Sequence, residues 1–346
     1  MSAYQPIARL RALAAQPPLP LTLLVCAAIL AARRPDLLRN PQFWAEDGHF
    51  YFAAMTAGWS SFFDVYAGYL HTVPRLVAQL AAAADPGCAP AIFVAVAAAC
   101  TLYVAARTQS ARCPLPRHAG VALAVVLVPD GFEVLLNIVN LQWILAGGLL
   151  LLLLSDDARR RRQQAHDMVG AVLFGLTGPF SVVLTPLFLV RAWQRKTRAA
   201  WALALLIATC GAVQAAMIWR HPVALPSGTI SSHAVLAVPG MRIAGSLFAG
   251  YRVPADYPRP IENALGALTL AGVALLALRR GTARAERTWL ALAFAGLLAS
   301  SLYRCRFVWP DLCHAGFGAR YFYPLQLAAV WLVLAAAADN RRWISR

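Results

Sequence analysis

Glu46 and Asp47 stand side by side with His49 two positions on, in a run from Phe43 to Tyr51 that also holds Trp44 and Phe50. Two adjacent carboxylates and an imidazole are a candidate seat for a divalent cation, Mg or Mn. Like charges side by side also raise one pKa, which suits a general base. The same acids equally fit a helix N-terminus, where the dipole favours negative charge ahead of the apolar stretch 50 to 55. Tyr69, His71 and Arg75 follow in the block 68 to 75. At the far end Arg304, Arg306, Asp311, His314 and Arg320-Tyr321 precede the last apolar stretch. Arginine at a membrane boundary calls for a partner, by bidentate pairing with phosphate or carboxylate or by snorkelling to headgroups. Between these, Asn137, Asn140, Gln142 and Trp143 suit a sugar, amides bonding hydroxyls and an indole stacking on the ring, although amides are also common in a hairpin turn.

The elements that must position these groups are membrane helices. Of 346 residues 60% are hydrophobic and 13% charged, about half the charge of a soluble domain. Apolar stretches fall at 19–32, 88–106, 119–129, 141–154, 166–177, 180–193, 199–219, 261–278, 288–303 and 321–338, so the expected fold is an all-α polytopic bundle of about ten spans in a single integral-membrane domain. With ten spans, 20 of the 31 Lys and Arg gather on one side, which the positive-inside rule makes cytoplasmic together with both termini. Arg33 and Arg34 are the misfit, since they follow the first span on the outer side. The N-terminus shows no signal-peptide cleavage pattern, so its first apolar run is expected to stay as a helix. The long outer loops are 33–87, 220–260 and 304–320. Two stretches, 119–129 and 166–177, are short for about 30 Å of hydrocarbon. They turn at Pro129-Asp130-Gly131 and Thr177-Gly178-Pro179, which suggests either a cavity open to the outer side or two tilted hairpins with ragged ends.

The net charge of +16 then reports orientation and contact with anionic lipid, with no need for nucleic acid. Seven cysteines show no metal-ligand spacing; Cys305 and Cys313 share an outer loop and could pair in an oxidising compartment. Walker, HExxH and GxSxG motifs are missing, which removes the usual supports of ATP-driven transport and zinc proteolysis.

The acidic motif Trp44-Ala45-Glu46-Asp47-Gly48, the block Gly68 to Arg75, the short hairpins and the late Arg320-Tyr321 with Pro324 together resemble the GT-C superfamily of integral-membrane glycosyltransferases, in particular its poorly characterised bacterial members. The likeness covers the whole chain in topology and about fifty residues in motif. It implies a sugar transferase of the bacterial inner membrane with a polyprenyl-phosphate-linked donor and a glycan, lipid or envelope-polymer acceptor on the outer face. It also implies amphipathic helices in the first outer loop. Carried over, Asp47 becomes the leading base with Glu46 as its partner or a metal co-ligand, and Arg320, Tyr321 and Arg75 the lipid-phosphate site. His49, His71, Tyr69, Asn137, Asn140, Gln142 and Trp143 become the substrate contacts. Two departures stand out: there is no long soluble C-terminal domain, and the acids are adjacent where the family spaces them. A transporter or flippase for lipid-linked sugars and a non-catalytic envelope subunit are the alternatives.

Overall fold

Each of the ten apolar stretches is a helix, and the rest of the architecture follows from how short helices pack between long ones. The computed structural model describes residues 18–115, 119–224, 226–250, 257–308, 312–313 and 318–344. Asp311 and His314 lie outside this set, as do the first 17 residues. In chain order the helices are α1 Leu19–Arg33, α2 Pro35–Arg39, α3 Asp47–Ala57, α4 Thr72–Ala82, α5 Ala89–Thr108, α6 Ala119–Leu127, α7 Leu141–Leu154 and α8 Arg161–Gly175. Then come α9 Phe180–Arg195, α10 Arg198–Arg220, α11 Ser232–Pro239, α12 Ser246–Ala249, α13 Arg259–Leu278, α14 Arg284–Arg304 and α15 Tyr323–Ile344. No strand occurs among the described residues, only the isolated bridges Tyr66–Tyr69 and His71–Thr177.

Four segments are long and apolar enough to cross a membrane: Pro86–Thr108, Arg198–Arg220, Arg259–Leu278 and Ala319–Asp339. The chain is accordingly an all-helical membrane protein. α7 is apolar all round and every one of its residues is buried, so it is the axis of the bundle. Its hairpin partner α6 is held by α15: the Tyr323 hydroxyl donates to Val125 O at 2.7 Å and Trp331 Nε1 to Val121 O at 3.0 Å.

Both short hairpins turn where the Gly/Pro pattern indicates. The first closes in a 3₁₀ turn over Pro129–Glu133. In the second, Gly178 has φ +90°, and a Cβ there would overlap Gln142 Oε1, so glycine is required. The first loop docks on this turn. Thr72 N donates to Leu176 O, Gly178 N donates to Leu70 O, and Gln214 of α10 bridges both through Leu70 N, Leu70 O and Gly178 O.

Arg33 and Arg34 fall into place at the same end. The Arg33 guanidinium donates to Val126 O, Val128 O and Pro129 O, and Arg34 to Phe132 O. They satisfy the orphan carbonyls at the C-terminus of α6, where a cation is favoured. At the opposite, basic end four of the acids are tied into ion pairs: Asp167 with Arg107 and Arg112, Asp157 with Arg191 and Arg195, Asp156 with Arg195, and Asp339 with Arg287. Cys305 and Cys313 are both buried free thiols.

Candidate functional site

Asp47 opens α3, and its side chain turns inward. One carboxylate oxygen accepts Val139 N at 2.8 Å and the other Trp44 N at 3.1 Å, so the residue clamps the first loop onto the turn ahead of α7. It is 1% exposed. Burial pushes its pKa up to about 6, although the two backbone N–H groups pull the other way. Glu46 is exposed and reaches the Tyr66 hydroxyl, whose own ionisation burial and that carboxylate drive upward. Neighbouring positions at a helix start face different ways, so the acid pair does not converge. Among the described residues no three His, Cys, Asp or Glu side chains group as a metal site. Each oxygen of Asp47 already accepts one backbone N–H, from Val139 and Trp44, so a divalent cation at this pair would have to share those oxygens with them.

Arg320 lies in the short turn Ala319–Tyr321 that leads into α15. Its backbone N donates to Glu133 Oε2 at 2.9 Å, and both Glu46 and Glu133 act electrostatically on its guanidinium, which lies 5.4 Å from the Tyr321 ring centroid. The acid of the first loop and the late arginine therefore share one corner, with Tyr66 between them. Asn137 and Asn140 build that corner from within. Both amides donate to Glu133 O, at 2.6 and 2.8 Å, and Asn140 N donates to Asn137 Oδ1.

Beside the corner is a cavity of about 470 Å³ whose wall includes Tyr69, Trp143, Phe180, His221, Arg304, Arg306 and Tyr321. Trp143 meets Phe180 and Tyr321 edge-on, each with centroids 5.0 Å apart. Gln142 Nε2 donates to the Tyr69 hydroxyl at 3.2 Å, which holds that ring in place. His71 and Arg75 sit behind the wall, each 1% exposed. The His71 ring is 4.7 Å from that of Tyr69, and burial beside the Arg75 cation lowers its pKa to about 3, so it is neutral. Arg75 packs over Phe50 at 4.6 Å. His49 is exposed near Tyr66, ring centroids 5.7 Å apart.

The sequence-predicted residues thus separate. Tyr69, Trp143 and Tyr321 line the cavity; Glu46 and Arg320 form the charged corner, with His49 at its edge. Gln142, His71 and Arg75 back the wall, while Asp47, Asn137 and Asn140 hold the backbone that carries it. Sequence reasoning passed over Arg242, which sits in a π-turn over Gly240–Gly245 and pairs with buried Asp130 at 3.1 Å. Gln326 of α15 donates to both Asp130 Oδ2 and Arg242 O. Pro239-Gly240 inside an apolar run was the available signal for a helix break. Compared with known proteins, the chain matches no family model, no curated protein and no solved structure.

Proposed function

We propose that the protein is a glycosyltransferase of the bacterial inner membrane, of about ten spans with both termini cytoplasmic. In this reading it moves a sugar from a polyprenyl-phosphate-linked donor to a glycan, lipid or envelope-polymer acceptor on the outer face. The observation that carries the reading is an exposed carboxylate, Glu46, within electrostatic range of the Arg320 guanidinium beside an aromatic-walled cavity. Transfer needs both. Glu46 takes the proton of the acceptor hydroxyl, whose oxygen bonds to the anomeric carbon as the bond to the phosphate oxygen breaks. The electron pair leaves with the phosphate, and Arg320 stabilises its charge. The products are the glycosylated acceptor and polyprenyl phosphate, with the proton on Glu46. Tyr66 orients the carboxylate, and the ring faces of Trp143 and Tyr69 suit a sugar. Asp47 acts here as the clamp that fixes Glu46, a shift from the role that the resemblance implies.

The test is transfer from a labelled polyprenyl-phosphate sugar in proteoliposomes. Glu46→Gln and Arg320→Ala should each lower turnover by a factor of about 100 or more, and unchanged turnover in both would refute the site. A transporter of lipid-linked sugars is the second reading, favoured by one observation: the buried Asp130–Arg242 pair at a helix break inside the bundle. It predicts donor translocation without turnover, and loss of translocation in Asp130→Asn.

A further inference from the structure

Two buried side chains take no part in the transfer chemistry. His71 is the residue ahead of α4 and Arg75 stands four positions on, so the two share one face of that helix. Both rest on the Phe50 ring of α3: the His71 ring centroid is 5.5 Å from it, and the Arg75 guanidinium lies over it at 4.6 Å. Gln79, one turn further along, is satisfied, for its Nε2 donates to Gly58 O at 2.8 Å and to Ser61 Oγ at 3.0 Å. His71 and Arg75 are not. Nε and Nη1 of Arg75 and both ring nitrogens of His71 are enclosed with no hydrogen-bond partner among the described residues. Arg75 forms no ion pair among those residues either; exposed Asp64 acts on it from a distance. An arginine keeps its proton, so the fold encloses a positive charge, which is strongly unfavourable without a counter-charge in contact. The ring face of Phe50 attracts the cation but takes up none of its enclosed N–H groups.

We propose that His71 and Arg75 form an internal site for a small monovalent anion, chloride in the cell, held by the guanidinium and one imidazole N–H among the rings of Phe50, Tyr66 and Tyr69. The Tyr66 and Tyr69 rings stand 5.6 and 4.7 Å from that of His71, and aromatic edges carry the positive end of the ring quadrupole, which suits a weakly hydrated halide. Burial beside the cation keeps His71 neutral, so its ring has one N–H to give. Side chains alone hold the ion, because the backbone donors of this turn are spent: Thr72 N on Leu176 O, Val73 N on Thr177 Oγ1 and Arg75 N on His71 O. A phosphate carried on a lipid chain is the wrong occupant, since both residues are 1% exposed behind the cavity wall and leave the chain no exit. The ion fastens α3, which follows Glu46, to α4. This role stands whether or not the protein transfers sugar.

The test is thermal unfolding of the purified protein in a neutral detergent at fixed ionic strength, with sodium gluconate replaced stepwise by chloride, bromide or sulfate. Chloride and bromide should raise Tm along a saturating curve, by about 3–6 °C at a hundredfold excess over Kd, and sulfate should not. Arg75→Met keeps the bulk and removes the charge, so its Tm should be the same in chloride and gluconate. In gluconate that variant should be at least as stable as the native protein, because the enclosed charge is gone; this separates a lost site from a damaged fold. His71→Phe keeps a ring and loses the N–H, and should move half-saturation to at least fivefold higher chloride. Equal Tm of the native protein in chloride and gluconate would overturn the proposal, as would a chloride curve that survives Arg75→Met unchanged and so reports salt acting elsewhere on the surface. Farnesyl phosphate, added as a fourth arm, should leave Tm no more dependent on Arg75 than farnesol does. An Arg75-dependent rise with farnesyl phosphate and none with halide would hand the residue to a lipid phosphate instead.

Discussion

Glu46 and Asp47 are chemically near-identical neighbours with opposite surroundings. Asp47 is enclosed and its proton is held more tightly in the folded state than in the unfolded chain, where the pKa is about 3.8. A raised pKa means that protonation favours the fold: this contribution is full below about pH 4 and disappears as pH rises through about 6. On the order of 3 kcal/mol is involved. Thermal unfolding in detergent should therefore show stability falling between pH 4 and pH 6, with the slope flattened in Asp47→Asn. That variant also places an NH2 against one of two backbone donors and should be less stable at pH 5 by about 1–3 kcal/mol. The residue types of the site were legible before the fold was known, because carboxylates, arginines and aromatics at a membrane boundary are few. Their division of labour was not. That Asp47 turns inward depends on Val139 N, and that Asn137 and Asn140 bond to Glu133 O depends on the turn closing; neither partner is marked by sequence spacing.

At the scale of elements, hydrophobic runs located the ten apolar helices to within a few residues, since a buried or lipid-facing helix leaves a long uninterrupted apolar signal. The turns at Pro129-Asp130-Gly131 and Thr177-Gly178-Pro179 were legible for the same reason that they form: their residues break helices. The segment from α11 through the π-turn to α12 was not foreseen. It is short, and Arg242 in its middle is placed by a tertiary partner, Asp130. Its seat on α13 depends on close backbone approach, for a Cβ on Gly266 would overlap Leu236 O. Gly266→Ala should therefore lower stability by about 3 kcal/mol and loosen the Asp130–Arg242 pair. Gly272→Ala, on the same helix with open space around its Cβ position, should be neutral or slightly stabilising. Thermal melts of the two variants side by side check both.

For the whole molecule, the charge asymmetry has a structural counterpart. Asp157 and Asp339 neutralise buried Arg191 and Arg287 at the basic end and Asp167 the half-buried Arg107 and Arg112, whereas Arg159, Arg160, Arg161, Arg162, Lys196 and Arg198 remain exposed there. If that end is cytoplasmic, a membrane-impermeant maleimide added to intact cells with a permeabilised outer barrier should label Ser60→Cys and spare Arg161→Cys until the inner membrane is opened. The exposed native Cys88 is replaced by Ser in both. Labelling of Arg161→Cys from outside would reverse the orientation. The bonds from Tyr323, Gln326 and Trp331 to the α6 hairpin carry a consequence for biogenesis. They join residues that lie 196 to 210 positions apart. At about 5–20 residues per second of synthesis, α6 waits roughly 10–40 s after emerging before its partners on α15 exist. In that interval α6 has only α1 and α5, already made, to pack against, so its seat is completed last and the assembled cavity is among the last features of the molecule to form.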